Sequence, residues 1–190
     1  MISKLQDIQA AADTLSRQGT ILYPTDTIWG LGCDATNATA VEKIYRIKQR
    51  PERKSCIILV PDRRHLLQYI ATPPLNLDEI MDQYATPTTF ILDHAINLPD
   101  NLVNTDGSIA IRIPDDDFCK HLLKKFGKPI VSTSANISGM PNAGNYASIA
   151  DDIKAQVDYI AHHRRAETTQ GKASKILKVL EDGTVRVIRD

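Results

Sequence analysis

The pair Asp182-Gly183, set between the strand-like runs 175–180 and 184–188, constrains the fold more than any other feature of this sequence. Asp-Gly between two such runs is the chemistry of a tight hairpin turn, because glycine accepts the positive φ that the turn needs. A hairpin pairs its strands antiparallel. Upstream, short apolar strands alternate with helical stretches, the pattern that builds parallel pairs through crossovers. A sheet that holds both kinds of pair is mixed. The sequence therefore predicts an α/β or α+β chain with a mixed sheet and surrounding helices. Strand order does not follow from it.

The remaining elements come from periodicity and punctuation. A helix is expected over 3–18, opened by Ser3 with Gln6 as a capping box and stopped at Gly19. The apolar strand 20–23 ends at Pro24, and 24–32, rich in hydroxyls and glycine, reads as a loop. Helices are expected over about 39–48, 62–70, 76–84, 115–126 and 148–156, and strands over 55–60, 88–92, 109–113, 130–133 and 158–161. No linker, repeat or low-complexity run interrupts the 190 residues, so one domain over 1–190 is expected.

Several function classes are disfavoured. The formal net charge is zero, which offers no bulk attraction to nucleic acid or membrane. No apolar run reaches the roughly 20 residues of a membrane span, and the start does not read as a secretory leader. Cys33, Cys56 and Cys119 are odd in number and widely spaced, which suits reduced thiols in a cytoplasm rather than a disulfide frame or zinc site. GxxxxGK[ST] and GxGxxG are both absent.

Four stretches carry candidate chemistry. Arg46, Lys48, Arg50, Arg53 and Lys54 crowd a helix end beside Pro51. They read either as a solvated basic terminus or as a grip for phosphate oxygens. The strand at 130–133 runs into Ser134-Ala-Asn-Ile-Ser-Gly139, a place where open sheets collect ligands beyond strand ends. The loop Pro24-Thr-Asp-Thr27 offers hydroxyls for a pocket wall or for its own turn. Arg112 alternates with isoleucines in 109–113 and needs an anionic partner, either one of Asp115 to Asp117 or a ligand carboxylate. Together they describe a cationic, hydroxyl-lined pocket without an acid–base pair, suited to reactions run by positioning and charge stabilisation.

The stretch Tyr23-Pro-Thr-Asp-Thr-Ile-Trp-Gly-Leu-Gly32 resembles the opening Y-P-T-[ED]-T-x-[YW]-G-L-G of the YrdC-like threonylcarbamoyl-AMP synthase family. Lys48-Gln-Arg50-Pro51 resembles its K-x-R-P. Thr88-Thr-Phe-Ile-Leu92, Ile109-Ala-Ile-Arg-Ile-Pro114 and Ser134-Ala-Asn-Ile-Ser-Gly139 follow in the family's order, so the likeness runs from Thr20 to Arg189. It implies a twisted sheet around a large, basic, concave cavity. It implies a nucleotidyltransferase that joins L-threonine, bicarbonate and ATP into threonylcarbamoyl-AMP and pyrophosphate, feeding the threonylcarbamoyladenosine modification of tRNA.

The resemblance also implies roles. Thr27, Arg112, Ser132 and Ser174 would contact threonine. Lys48, Arg50, Lys54, Ser108, Ser134, Asn136, Asn142 and Arg189 would hold ATP, with Lys48 and Arg50 as the catalytic cations. Magnesium would accompany the triphosphate, and the partner would be the machinery that passes the threonylcarbamoyl group to tRNA. The chain ends just after Arg189, as in the family's single-domain form. Leu59 stands where many members carry a histidine near threonine, so a diverged paralogue with another substrate is an alternative. So is an RNA-binding maturation factor that holds double-stranded RNA or tRNA in the same cleft. A carbamoyl-adenylate site like that of hydrogenase-maturation carbamoyltransferases is a third.

Overall fold

The computed structural model describes residues 2–49, 56–84 and 87–190. Helix α1 (Lys4–Ser16) starts on the expected box: Ser3 Oγ accepts the Gln6 N–H, and the Gln6 side chain accepts the Ser3 N–H. Strand β1 (Ile21–Tyr23) follows. The stretch expected to be all loop instead contains strand β2 (Gly30–Gly32). Then come α2 (Ala38–Ile47), β3 (Ile57–Leu59), α3 (Arg63–Leu66), α4 (Leu77–Asp82), β4 (Thr88–Leu92) and β5 (Ile109–Arg112). Helix α5 (Asp117–Phe126) is capped by Asp116 and ends at Gly127 in the left-handed region, as its punctuation predicts. Strand β6 (Ile130–Ser134), α6 (Asp151–Lys154), β7 (Tyr159–Ile160), β8 (Lys175–Val179) and β9 (Val185–Arg189) complete the chain.

The strands form one mixed sheet of nine, in the order β7-β1-β2-β6-β3-β5-β4-β8-β9. β8 and β9 are the predicted antiparallel hairpin, whereas β3–β5, β4–β8 and β1–β7 pair parallel. Direct partners share a face, and neighbours along a strand alternate. One face thus carries Leu31, Ile58, Phe90, Ile111, Val131 and Leu177. Helices α2, α3, α4 and α6 bury Val41, Ile44, Leu66, Leu77, Ile80 and Ile153 in the same core. Each such side chain contributes about 1.5–3 kcal/mol when taken from water.

The opposite face is divided. At one end α1 and α5 seal Ile21, Tyr23, Leu59 and Ile130 with Ile8, Leu15, Phe118 and Leu122. The rest of that face carries Gly30, Ile57, Thr89, Ala110, Arg112, Ser132 and Ser134, which are mutually in register through the β2–β6, β6–β3, β3–β5 and β4–β5 pairs. No helix among those described covers this second half, so these residues floor an open depression. The glycines of β2 allow it. A Cβ on Gly32 would lie 2.4 Å from Val131 O and 2.8 Å from Tyr23 Cε1, so the Tyr23 ring can cross β2 only because that position has no side chain.

Candidate active site

The loop between β1 and β2 is folded by its own hydroxyls. Thr25 Oγ1 donates to Ile28 O at 2.8 Å and accepts the Thr27 N–H at 3.1 Å, a local turn that leaves Asp26 and Thr27 presented to β5. Arg112, only 4% exposed, meets both. Its Nη1 donates to Thr27 Oγ1 at 2.7 Å and lies 3.2 Å from Asp26 Oδ1. The second of these is a charge contact without hydrogen-bond alignment. Asp26 Oδ1 and Arg112 Nε are consequently buried with no hydrogen-bond partner. Asp26 Oδ2 accepts the Asp115 N–H at 3.1 Å, so one carboxylate joins the loop to the exit of β5.

Asp26 is therefore the protein acid beside Arg112, where the sequence offered one of Asp115 to Asp117 or a ligand carboxylate. The reason is local. Asp116 caps α5 through the Cys119 N–H and pairs with Arg164, Asp115 bonds Lys120, and Asp117 faces Lys4. All three carboxylates are spent at the helix start, which favours negative charge.

Across the floor, Ser132 and Ser134 project from β6, and the terminal hairpin supplies the other wall. Ser174 Oγ lies 2.8 Å from Thr89 Oγ1. The Ser174 carbonyl accepts from Arg189 Nε at 3.1 Å and Nη2 at 2.7 Å. Burial, and after it the charge of Arg112, lowers the Arg189 pKa. An anion placed between two such cations would relieve that repulsion.

A cavity of about 310 Å³ brings together Thr27, Arg112, Ser132, Ser134, Asn142, Ser174 and Arg189. Seven of the residues expected from the sequence thus line one space, although they come from six separate places in the chain. Its charged lining residues are Arg112 and Arg189, with no acid among those described. A chamber of about 500 Å³ adjoins it across Thr27, Ile28, Trp29 and Ala173, and there Arg164, Lys172 and Lys175 are matched by Asp26, Glu167 and Asp190. The cationic excess is thus local to the smaller cavity.

The segment 163–173 walls the larger chamber. Arg164 Nη1 donates to Thr25 O at 2.8 Å, Asn145 Nδ2 donates to Thr168 O at 2.9 Å, and the Gly171 N–H donates to Gly144 O at 2.9 Å. A Cβ on Gly171 would fall 1.9 Å from Thr27 O, so glycine is what lets this segment lie against the loop that touches Arg112.

Other expected residues lie elsewhere. Lys48 is 2% exposed, and its Nζ donates to the carbonyls of Ser134 at 2.5 Å and Asn136 at 2.7 Å. The Lys48 carbonyl accepts the Ser138 N–H at 2.9 Å. Its cation is thus used to hold the loop after β6. Asn136 braces the same loop through Nδ2, which donates to Met140 O at 2.5 Å and Ile137 O at 3.1 Å. Ser108 Oγ donates to Asp106 Oδ1 at 2.6 Å and accepts from Asn104 Nδ2 at 2.9 Å, away from the cavity lining. Arg50 and Lys54 lie outside the described residues. Leu59 is fully buried as the cross-strand neighbour of Arg112 and Ile130.

Two features were not apparent in the sequence: Asp26 as the partner of Arg112 and Gly171 as the close-approach point. The Asp in Thr25-Asp26-Thr27 carried a signal, because a buried arginine requires an acid somewhere. Only the fold says which. The cysteines agree with expectation: Cys33, Cys56 and Cys119 are buried free thiols. Burial, its largest cause, raises the pKa of Cys33 and of Cys119 far above that of a free thiol. No described helix is long and apolar enough to cross a membrane.

Residues 13–190 match the Sua5/YciO/YrdC family model, described as "Telomere recombination". A protein of Pseudoalteromonas translucida (strain TAC 125) named threonylcarbamoyl-AMP synthase is 33% identical over 92% of this chain and 95% of its own length. The crystal structure of YciO from E. coli superposes with a TM-score of 0.83 at 26% identity, over 100% of this chain and 91% of that one. Sua5 of P. abyssi, crystallised with L-threonine, superposes with a TM-score of 0.83 at 22% identity. That likeness is one of fold, and it covers 100% of this chain but only 55% of the longer Sua5.

Proposed function

This chain belongs to the Sua5/YciO/YrdC family, and from that premise we propose that it is a threonylcarbamoyl-AMP synthase, joining L-threonine, bicarbonate and ATP with release of pyrophosphate. The observation that carries the reading is the buried Arg112, which lines the floor of a cavity together with hydroxyls and a second arginine. A guanidinium matches a carboxylate in two-point geometry. Threonine would set its carboxylate on Arg112, with Thr27, Ser132 and Ser174 around its polar atoms.

The chemistry then needs little covalent help. The threonine amine, having lost a proton, adds to the carbon of bicarbonate, and water leaves to give a carbamate. A carbamate oxygen attacks the α-phosphorus of ATP, and the bond to the β-phosphate oxygen breaks, releasing pyrophosphate. The protein's task is to align the two and to offset the charge that grows on phosphorus and on the leaving group. Arg189, Ser134 and Asn142 line the same cavity and are assigned to the nucleotide, as are Lys48, Asn136 and Ser108 through the loops that they fix. Arg50 and Lys54 keep their assignment to the triphosphate from the sequence motif.

Among the described residues no cluster of histidine, cysteine, aspartate or glutamate is built as a metal cage. Magnesium would be held chiefly by the phosphate oxygens it accompanies, as is usual for this ion. The free thiols suit a reducing cytoplasm. The continuous sheet supports treating 1–190 as one domain, and the adenylate would pass to the machinery that modifies tRNA. The RNA-binding alternative gains no support from Arg112, which is buried against Thr27 and Asp26 instead of forming part of an exposed track.

The test is an omission series with purified protein and magnesium. Pyrophosphate release is expected when ATP, threonine and bicarbonate are all supplied, and only background when any one is left out. Release from ATP without threonine or bicarbonate would sink the assignment.

A further inference from the structure

We infer that Asp26 is the counter-charge that makes this site select an α-amino acid over a simple carboxylate. The inference rests on the reading that a substrate carboxylate meets Arg112. Asp26 stands apart from the residues given a role by family resemblance, and three observations single it out. Its side chain is 8% exposed, and its Oδ1 lies 3.2 Å from Arg112 Nη1. That oxygen accepts no hydrogen bond, and Arg112 is the cation that faces it. Its other oxygen accepts the Asp115 N–H, which ties the carboxylate to the exit of β5.

Consider the site without that charge. The smaller cavity would present Arg112 and Arg189 with no acid among its described lining residues. Such a pair would welcome phosphate, pyrophosphate or any small carboxylate. Asp26 stands behind Arg112 in the wall of the adjoining chamber and offsets the charge of that one arginine. A ligand with one negative and one positive group keeps that balance. A ligand with only a carboxylate adds a negative charge beside Asp26.

In an α-amino acid the ammonium nitrogen is one carbon removed from the carboxylate carbon. When the carboxylate sits on Arg112, the ammonium lies within several ångströms of the Asp26 charge. In a partly desolvated site an interaction over that range is worth well over a tenfold change in affinity. Asp26 acts here through its field and touches no reacting atom.

The test compares two ligands that differ at this point alone: L-threonine and its 2-hydroxy analogue, 2,3-dihydroxybutanoate, in which hydroxyl replaces ammonium. Both keep the carboxylate, so damage to the Arg112 contact moves both alike and leaves their ratio unchanged. By calorimetry the wild-type protein is expected to bind threonine at least about 10-fold more tightly than the analogue. Asp26→Asn, which keeps the shape and removes the charge, is expected to reduce that ratio by about 10-fold, and Asp26→Glu to restore most of it. An unchanged ratio in Asp26→Asn would overturn the inference while leaving the amino-acid reading intact. So would a wild-type protein that binds the two equally, a result that does not depend on the variant folding. Failure of the wild type to bind threonine at all would overturn the proposed function and this inference with it.

Discussion

Replacing Arg112 by lysine is expected to lower kcat/KM for threonine by about 100-fold or more, with the KM for ATP changed far less. Lysine keeps the positive charge, so the buried Asp26 carboxylate is not stranded. What is lost is the planar fork: one donor to Thr27 Oγ1, one contact to Asp26, and the Nε–H that has no partner in the protein. A lysine ammonium is a point charge and cannot hold a carboxylate at two points while bonding Thr27. Arg112→Ala is the less informative change, since removing one partner of a buried pair costs about 3–5 kcal/mol in stability alone. Initial rates at varied threonine and fixed ATP give the answer. A threonine dependence unchanged in Arg112→Lys would mean that the carboxylate is held elsewhere.

The second large effect is expected at Lys48, through architecture. Lys48→Met keeps the length of the side chain and removes the donor to the carbonyls of Ser134 and Asn136. Leaving buried carbonyls short of a charged donor costs about 2–4 kcal/mol. For a chain of this size that is a fall in Tm of roughly 5–15 °C. The same loop begins at Ser134, which lines the cavity, and is braced by Asn136, so the KM for ATP is expected to rise as well. Thermal melts and ATP kinetics on the one variant separate the outcomes. Lost activity at an unchanged Tm would mean that the ammonium acts directly on phosphate.

These two residues also show what was legible in advance. Arg112 was readable because a charge alternating with isoleucines in a strand must project from the face opposite them, and β5 carries Ile109 and Ile111 in the apolar core. Ser132 and Ser134 follow the same alternation against Val131 and Thr133 in β6. Lys48 was read as a cation for phosphate because basic residues crowd its segment. Its bonds to backbone carbonyls were invisible, since a carbonyl has no residue type. The partner of Arg112 was hidden for another reason: Asp26 is distant in sequence and reaches β5 only through the fold.

The place of the site was partly misread as well. Hydroxyls after β6 suggested a pocket beyond the carboxyl end of that strand. β6 is antiparallel to both of its neighbours, and the cavity lies on the sheet face that α1 and α5 leave uncovered. That depends on strand order, which periodicity does not carry. Strand β2 escaped because two of its three residues are glycine, a type that weakens strand signals yet is needed beneath the Tyr23 ring. The hairpin, by contrast, was fixed by two residues and appears where they place it.

In the proposed function, one cavity joins a carbamate of threonine to the adenylyl group of ATP. The most direct measurement supplies the purified protein with ATP, magnesium, L-threonine and carbon-13 bicarbonate and examines the nucleotide product by mass spectrometry. Threonylcarbamoyl-AMP that carries the label in its carbamoyl carbon is expected, with loss of that product when threonine is omitted. An adenylate that forms without taking up the label, or no adenylate at all from folded protein, would contradict the proposed function.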